Sequence, residues 1–351
     1  MKVLQYDGPR SLKVVVAPDY GAISDDEVRI ESLYSGVSHG SEMNVYRGTA
    51  PFYRRKYDGA TRLFVPAKEQ ETWSYPFRSC DPGVWYIGYS NVGRVVEVGS
   101  AVTEIGVGDV VQTDGPHQTM VVRPAHACIR IPSEVDPAHG VFLTNLMTAY
   151  NGILDTSIKL GDTVVISGTG VLGQLIAQMA KLSGALQVIC VDTYETRLAV
   201  AMNNGADYTI NARTCADIAM EVRKLTGDRG ADAVIEASGS QVALNEAIRI
   251  VAPDGIVTAL SWYQGPCDKL DLSQEFHQNR VTIKCSHTGG VAPAIGNMWN
   301  YERKVRTCLQ LLSRLRFENL LTSVLPYDEA PTGYRMIDEG DPSIIQVAFK
   351  Y

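Results

Sequence analysis

Paired cysteines are missing from this sequence. Its seven cysteines are scattered over 351 residues, and no two stand at C-x-x-C spacing. They are Cys80, Cys128, Cys190, Cys215, Cys267, Cys285 and Cys308. Closely spaced cysteines are typical of disulfide frameworks and structural zinc sites, so this distribution argues against both. We therefore expect a chain of the reducing cytoplasm whose thiols are mostly buried and structural.

Long apolar runs and long basic runs are missing as well. No stretch approaches the ~18 uncharged apolar residues of a membrane span. Residues 1–7 lack the apolar region of a signal peptide and are predicted to form a first strand. The formal net charge is −7, which argues against a nucleic-acid or anionic-membrane surface. These absences favour a small-molecule partner, with no nucleic acid and no membrane.

The patterns that are present indicate two kinds of structure. Up to about residue 135, short alternating runs between glycines predict an antiparallel, barrel-like sheet. From Ala138 onward, buried strands alternate with helices, as in a doubly wound parallel sheet. Mixed structure returns after about Ser286, with a helix at 301–315 and a closing strand at 344–349. The predicted fold class is α/β, with a Rossmann dinucleotide-binding domain (141–286) inserted in a discontinuous catalytic domain (1–140 and 287–351).

A glycine fingerprint follows the first strand of the second region. The apolar run 163–167 opens directly into Gly168-Thr169-Gly170-Val171-Leu172-Gly173, and a helix is predicted after it. In G-x-G-x-x-G the first glycine allows the tight turn. The second lets the backbone approach a pyrophosphate, and the third lets helix and strand pack closely. The helix N-terminus then offers free N–H groups to phosphates. This pattern predicts a dinucleotide site.

An acid stands where such a site needs one. Asp192 ends the next apolar strand, about 20 residues after the fingerprint, where a carboxylate accepts from the ribose 2′-hydroxyl. A carboxylate also repels a 2′-phosphate, which favours NAD over NADP. Arg197, a few residues on, is placed to meet such a phosphate and keeps NADP as the alternative.

Residues 49–86 form an aromatic and basic insert. Its aromatic residues are Phe52, Tyr53, Tyr57, Phe64, Trp73, Tyr75, Phe77, Trp85 and Tyr86, interleaved with several arginines and lysines. Two interpretations stay open: a lid over a substrate pocket, or a loop packed on itself. As a lid, the insert would suit an aromatic or polyhydroxylated substrate.

Taken together, the motifs resemble the medium-chain dehydrogenase/reductase (alcohol dehydrogenase-like) superfamily over almost the full chain. They are Glu27-Val28-Arg29-Ile30, Ser35-Gly36-Val37-Ser38, the run 88–99, Gly106-Val107-Gly108-Asp109, Lys159-Leu160-Gly161-Asp162 and the run 231–239. The resemblance implies a GroES-like catalytic domain around the Rossmann domain, a nicotinamide cofactor and a homodimer or homotetramer. Superfamily members often dimerise through the last strand of the nucleotide sheet, for which residues 257–260 are the candidate here.

The departures from the zinc-dependent members are informative. Their ligand positions correspond here to Ser38, to Tyr89 with Ser90, and to Thr144. Zinc takes thiolate, imidazole or carboxylate ligands, so hydroxyl side chains at these positions predict no metal. A remodelled site that uses the neighbouring His39 and Glu42 is the minor alternative. Ser-His-Gly-Ser-Glu at 38–42 with Gly-Tyr-Ser-Asn-Val-Gly at 88–93 resembles a zinc-independent branch similar to bacteriochlorophyllide a dehydrogenase-like enzymes.

Without a metal, side chains must polarise the substrate oxygen. By position, Ser38 or Tyr89 is the candidate hydrogen-bond donor and His39 the acid/base. Glu42, on the same loop as His39, completes the proposed relay, and Thr144 belongs with Ser38 and Tyr89 to the former metal pocket. His117 follows a Gly-Pro turn and is a further catalytic candidate, but a turn histidine bonded to backbone is the favoured interpretation for it.

The resemblance also assigns cofactor contacts beyond the fingerprint. The backbone at Ser286 and His287 is expected to bind the nicotinamide carboxamide. Glu236 and the turn with Ser238 end the fourth strand at the ligand-binding edge of the sheet. The predicted cofactor-binding residues are Thr148, Gly168, Thr169, Gly170, Val171, Leu172, Gly173, Asp192, Arg197, Ser238, Ser261, Ser286 and His287.

Three functions remain open from the sequence. The leading one is an NAD(H)-dependent, zinc-independent oxidoreductase that transfers hydride between nicotinamide and a secondary alcohol or ketone. The second is a quinone or enone (C=C) reductase of the same superfamily. The third is a non-catalytic dinucleotide-binding protein, because fold alone does not decide function.

Overall fold

The protein is described by a computed structural model that covers residues 1–68, 71–84, 87–263, 265–290 and 295–351. The chain divides into two compact units. Unit 1 comprises Met1–Leu143 with Leu321–Tyr351, and unit 2 comprises Thr144–Leu320. The second unit thus extends past position 286, because helical structure continues there through residue 312.

The strands are β1 (Lys2–Gly8), β2 (Ser11–Val16), β3 (Glu27–Gly36), β4 (Arg55–Asp58), β5 (Leu63–Pro66), β6 (Phe77–Arg78), β7 (Asn91–Val98), β8 (Val110–Thr113), β9 (Met120–Pro124), β10 (Ile129–Arg130), β11 (Thr163–Ser167), β12 (Gln187–Asp192), β13 (Tyr208–Asn211), β14 (Ala231–Glu236), β15 (Val251–Ala259), β16 (Thr282–Cys285), β17 (Ser323–Pro326) and β18 (Val347–Lys350). The helices are α1 (Ser41–Tyr46), α2 (Leu143–Thr156), α3 (Val171–Leu182), α4 (Glu195–Asn203), α5 (Ile218–Leu225), α6 (Gln241–Ile250), α7 (Glu275–Gln278), α8 (Tyr301–Leu312) and α9 (Ala330–Asp338).

Unit 2 contains a six-stranded sheet in the order β13-β12-β11-β14-β15-β16, with every neighbouring pair parallel. Strand β11 is buried along its whole length, as expected for a central parallel strand covered on both faces. The strand order reverses between β11 and β14. After β11 the chain adds β12 and β13 on one side of it, and then adds β14, β15 and β16 on the other side. Open α/β sheets bind ligands at such a switch point, beside the carboxyl ends of the strands.

Unit 1 is mostly antiparallel. It contains a three-stranded sheet (β2-β1-β6), a seven-stranded sheet (β10-β8-β7-β3-β18-β17, with β9 paired to β3) and the β4-β5 hairpin. Strand β18 pairs antiparallel with β3 near Ser35, which brings the end of the chain to the first long strand. The predicted α/β fold class, a parallel Rossmann-like sheet with a separate mostly antiparallel sheet, is confirmed.

The aromatic insert packs largely on itself. Tyr53 stacks on Tyr75, with ring centroids 5.4 Å apart, and Trp73 lies 5.7 Å from Phe52. These four side chains also pack against the buried core of unit 1. Among the described residues of the insert, the exposed large apolar side chains lie on the β4-β5 hairpin, at Tyr57, Leu63 and Phe64. Trp85 and Tyr86 lie outside the described residues.

Three expectations need correction. Residues 257–260 do not form the edge of the nucleotide sheet, because β15 pairs on both sides and β16 is the outer strand. The closing strand starts at Val347 and not at Ile344. All seven cysteines are free, but only Cys190 and Cys308 are buried.

Within the described ranges, no helix combines the length and apolar character of a membrane span.

Candidate functional site

The three fingerprint glycines meet different surroundings in unit 2. Gly168 has φ +94°, and a Cβ there would lie 2.7 Å from the backbone nitrogen of Ser238. A Cβ on Gly173 would lie 1.9 Å from the carbonyl oxygen of Gly168. Gly170, in contrast, has nothing within 4 Å of that position. Two glycines therefore serve the packing of the loop, and the third borders open space where a ligand's phosphates fit.

Helix α3 begins directly behind that space. Gly170 is its N-cap and supplies no side-chain cap, so the first-turn N–H groups, including those of Val171 and Leu172, keep donor capacity for an anion. This arrangement fits the pyrophosphate of a dinucleotide.

Asp192 anchors the glycine loop. Its Oδ2 accepts from the Thr169 nitrogen at 2.6 Å and from Thr169 Oγ1 at 2.9 Å. Its Oδ1 accepts from the Tyr194 nitrogen at 2.9 Å. An ionised carboxylate offers about four acceptor positions, so capacity remains for a ribose hydroxyl. The structure thus adds a loop-anchoring role that the sequence did not predict.

Two guanidinium groups flank the ring that follows Asp192. The Arg197 guanidinium lies 4.8 Å from the centroid of Tyr194, and that of Arg213 lies 4.7 Å from it. Arg213 comes from the loop after β13, and sequence reasoning missed it because it lies far from the fingerprint along the chain. Both residues follow strands at the carboxyl edge of the sheet, Arg197 after β12 and Arg213 after β13.

The carboxyl edge continues across β14 and β15. Glu236 is fully buried and accepts from the Ser238 nitrogen at 2.7 Å, from the Ser238 hydroxyl and from the Tyr263 hydroxyl. Burial raises the pKa of Glu236 even though these hydrogen bonds oppose the shift. Ser261, after β15, lies beside the turn that Glu236 organises, next to Gly239.

The remaining predicted cofactor residues lie on α2 and after β16. Thr148 Oγ1 donates within its own helix to the carbonyl oxygen of Thr144, at 3.1 Å. Ser286 Oγ donates to Asp155 at 2.8 Å. His287 Nδ1 accepts from the Gly289 nitrogen at 3.1 Å, so its ring is engaged within its own turn.

In unit 1, Glu42 and His117 form the centre of a buried polar cluster. Both side chains have 0% exposure, and Glu42 Oε2 lies 2.8 Å from His117 Nε2. Glu42 Oε1 accepts from the Ser38 nitrogen at 2.7 Å, and Oε2 accepts from the Tyr334 hydroxyl at 2.6 Å. Burial, with the nearby Glu42 charge, raises the pKa of Tyr334 well above its usual value. Tyr334 therefore stays protonated and donates.

The cluster extends beyond His117 to the last residue of the chain. His117 Nδ1 lies 2.7 Å from Ser35 Oγ, which lies 2.7 Å from the Tyr351 hydroxyl. When Glu42 is ionised it accepts from all its neighbours, so His117 carries its proton on Nε2 and Nδ1 accepts from Ser35. The favoured prediction of a backbone-bonded turn histidine is wrong, because both ring nitrogens bond side chains.

A hydroxyl pair lies next to this cluster. The Tyr89 hydroxyl donates to Ser38 Oγ, and Ser38 is tied through its own nitrogen to Glu42. A Cβ on Gly88, which precedes Tyr89, would lie 2.6 Å from the His117 nitrogen. The glycine thus permits the close approach of the two segments.

The structure therefore brings four predicted catalytic residues together: Ser38, Glu42, Tyr89 and His117. His39 lies on the same loop with a half-buried side chain. Thr144 lies in unit 2, in the first turn of α2. Sequence reasoning missed Ser35, Tyr334 and Tyr351 as members of the cluster, because no local motif marks them.

The side chains of this site do not fit a zinc ion. A zinc site needs three or four nitrogen, sulfur or carboxylate ligands. Here the cluster offers one imidazole and one carboxylate, and the two are hydrogen-bonded to each other. Among the residues that the structure describes, no group of three or more His, Cys, Asp or Glu side chains is arranged to hold a metal.

Comparisons with known proteins agree with this architecture. A family model described as zinc-binding dehydrogenase matches residues 171–304. D-guloside 3-dehydrogenase of Escherichia coli (strain K12) is 30% identical over 347 residues, 97% of each chain.

Two solved structures share the fold. Galactitol-1-phosphate dehydrogenase from Escherichia coli has a TM-score of 0.78 at 18% identity and full coverage of both chains. An alcohol dehydrogenase from Escherichia coli CFT073, complexed with NADH, has a TM-score of 0.77 at 20% identity, covering 100% of this chain and 99% of that one. The chain belongs to the zinc-binding dehydrogenase family, within the alcohol dehydrogenase-like medium-chain dehydrogenase/reductase superfamily.

Proposed function

We propose that this protein is an NAD(H)-dependent oxidoreductase that works without zinc and acts on a secondary alcohol or ketone of a polyhydroxylated substrate. The observation that carries the proposal is the buried Glu42–His117 hydrogen bond beside the Tyr89–Ser38 hydroxyl pair. Such a pair supplies acid–base chemistry where a family member with zinc would use a metal.

Unit 2 is proposed to bind the dinucleotide and unit 1 to supply the catalytic side chains. The bound nicotinamide would exchange a hydride with the substrate carbon. Gly170 and the first turn of α3 would hold the pyrophosphate, and Asp192 the adenosine ribose. NADP is the alternative cofactor, supported by Arg197 and Arg213 beside Tyr194.

The proposed chemistry in unit 1 assigns separate roles to the hydroxyl pair and to the buried Glu42–His117 pair. Ser38 donates to the substrate oxygen while its Oγ accepts from the Tyr89 hydroxyl, and the Glu42–His117 pair is the proposed acceptor of the proton released when an alcohol is oxidised. Ser35 and Tyr351 hold the imidazole in one orientation and tautomer. The proposed substrate class is taken from the relative D-guloside 3-dehydrogenase, whose name indicates a reaction on a sugar derivative.

The test is turnover of methyl D-guloside with NAD, compared with reduction of a cyclic enone by NADH, on protein whose zinc content is measured. We expect sugar oxidation at substoichiometric zinc. Glu42→Gln is expected to lower kcat by about 100-fold or more, the usual range for loss of an acid–base group, with the Kd for NADH within about twofold.

A matched pair of serines on β3 provides the control. Ser35 and Ser32 are both buried, but only Ser35 bonds His117, whereas Ser32 donates to the carbonyl oxygen of Gln118. Ser35→Ala is expected to change the pH profile of kcat and Ser32→Ala to leave it unchanged. Stoichiometric zinc would overturn the metal-free mechanism. Enone reduction alone would favour a C=C reductase, and NADH binding without any turnover a non-catalytic protein.

A further inference from the structure

The turn after β16 is held by buried polar side chains from two helices of unit 2. Asn151, on α2, is 1% exposed, and its Nδ2 donates to the carbonyl oxygen of His287 at 3.1 Å. Lys304, on α8, is 2% exposed, and its Nζ donates to the carbonyl oxygen of Thr288 at 2.7 Å. Two consecutive carbonyl groups of this turn are thus fixed from the interior.

Asp155 holds Asn151 in place. Its Oδ2 accepts from Asn151 Nδ2 at 2.9 Å and from Ser286 Oγ at 2.8 Å. Its Oδ1 pairs with Lys284 Nζ at 2.8 Å. The amide therefore has a single orientation, with its donors facing the turn and the carboxylate.

Burial of the Lys304 ammonium group is energetically unfavourable. Burial lowers its pKa, because an ammonium group loses hydration in the interior. A methionine or leucine would fill the same volume without that cost. Compared with those apolar residues, the lysine adds a hydrogen bond to the Thr288 carbonyl oxygen. We therefore attribute the presence of a lysine here to its contact with the turn.

The fixed carbonyls determine where the intervening peptide group points. In a trans peptide the N–H lies opposite the C=O. With the His287 carbonyl held toward Asn151, the N–H of Thr288 is directed away from α2, on the side opposite the interior contacts. The N–H becomes an oriented donor.

This donor lies on the correct side of the sheet for the nicotinamide half of a dinucleotide. The pyrophosphate loop follows β11, and Asp192 is the last residue of β12 on one side. The other half must extend across β14, β15 and β16, and adjacent strands are about 4.8 Å apart. Strand β16 is therefore roughly 14 Å from β11, within reach of that half.

We propose that Asn151, Asp155 and Lys304 are positioning residues that orient the His287–Thr288 peptide so that the Thr288 N–H binds the carboxamide oxygen of the nicotinamide. This inference rests on the dinucleotide site proposed above. It assigns the buried lysine and amide a function that neither the fingerprint nor the hydroxyl pair requires.

The test compares two ligands on the full-length protein: NADH, and ADP-ribose, which lacks the nicotinamide. Asn151→Ala and Lys304→Met are each expected to raise the Kd for NADH about tenfold, the effect of losing one well-oriented hydrogen bond. The Kd for ADP-ribose should stay within about twofold. Thr156→Val is the matched control, because Thr156 is a buried α2 residue that bonds Thr258 of β15 and not the turn. It should change neither constant.

Hydrogen–deuterium exchange of the peptide covering 286–290 provides a second readout. Both variants should speed exchange there and leave α3 unchanged. If Lys304→Met does not fold, Asn151→Ser, a smaller change than Asn151→Ala, tests the positioning role through the other contact to the turn, the one to the His287 carbonyl. Equal weakening of NADH and ADP-ribose, or no weakening of either, would overturn the positioning role. Failure of the unmodified protein to bind both ligands would instead overturn the dinucleotide site.

Discussion

At the scale of the residue, the site depends on buried polar side chains whose partners come from elsewhere in the chain. Glu42 is hydrogen-bonded to His117 and to Tyr334, and Glu236 is hydrogen-bonded to Tyr263. A buried carboxylate is tolerated only when donors compensate the lost hydration. Each of these acids is therefore sensitive to the loss of one donor or to a change in its own charge.

Glu236 provides a pH-dependent test of this point. Burial raises its pKa above the ordinary 4.5, so the native state holds the proton more tightly than the unfolded chain does. Stability should therefore fall as pH rises from the ordinary value through the raised one. Glu236→Gln cannot titrate and should lack this decline, with a difference of at most about 3 kcal/mol.

Urea unfolding at several pH values across that window measures both curves. The control is Glu221→Gln, at a half-buried residue whose carboxylate pairs with the exposed Lys224. It should shift stability by less than about 0.5 kcal/mol at every pH. Parallel curves for the protein and Glu236→Gln would contradict the assignment.

At the scale of the element, α9 delivers Tyr334 to Glu42 and must be held in place. Its last residue, Asp338, accepts from Arg47 Nε at 2.6 Å and from Arg10 Nε at 2.7 Å. Arg47 follows α1, the helix that carries Glu42, and Arg10 lies between β1 and β2. One carboxylate thus ties the helix that brings the tyrosine to the helix that carries the acid.

Asp338→Asn should weaken this tie. Partial burial raises the pKa of Asp338, but the hydrogen bonds from Arg47 and Arg10 outweigh it and leave the pKa below the ordinary 3.8. The carboxylate therefore stabilises the fold above that value, and the contribution is lost as pH falls through the lowered pKa. At neutral pH we expect a loss of about 1 to 3 kcal/mol, which shrinks in acid.

Chemical denaturation at neutral and acidic pH measures this effect. Asp328→Asn is the control, because Asp328 pairs with Lys2 at the surface, with 63% and 47% side-chain exposure. Exposed pairs contribute about 0 to 1 kcal/mol. An equal loss in the two variants would show that Asp338 is no more than a surface charge.

At the scale of the whole molecule, the proposed function divides between two units. A ligand that binds only the native state stabilises it by about 2.7 kcal/mol at a hundredfold excess over its Kd. We expect NADH to raise the Tm of the transition that reports unit 2 by a few degrees. NADPH should raise it less, because the Asp192 carboxylate repels a 2′-phosphate.

Differential scanning calorimetry with each dinucleotide provides the measurement, and ADP-ribose serves as a ligand without nicotinamide. Equal shifts with NADH and NADPH would contradict the repulsion at Asp192 and favour binding of the 2′-phosphate by Arg197 and Arg213. No shift with any of the three would argue against the dinucleotide site.

Local physical requirements explain what the sequence by itself determined. The tight turn at Gly168, the close packing at Gly173 and the buried strand β11 each depend on a few consecutive residues. The fingerprint, the parallel sheet and the fold class were therefore predictable, because short-range sterics and hydrophobic pattern decide them.

Only the tertiary structure decided which side chains meet. Glu42, His117 and Tyr334 lie far apart in sequence, on α1, before β9 and on α9, and no spacing rule links them. The same holds for Lys304 and Thr288, and for the pairing of β16 that makes it the outer strand. These contacts form because the core brings distant segments together, and burial then requires each polar group to find a partner.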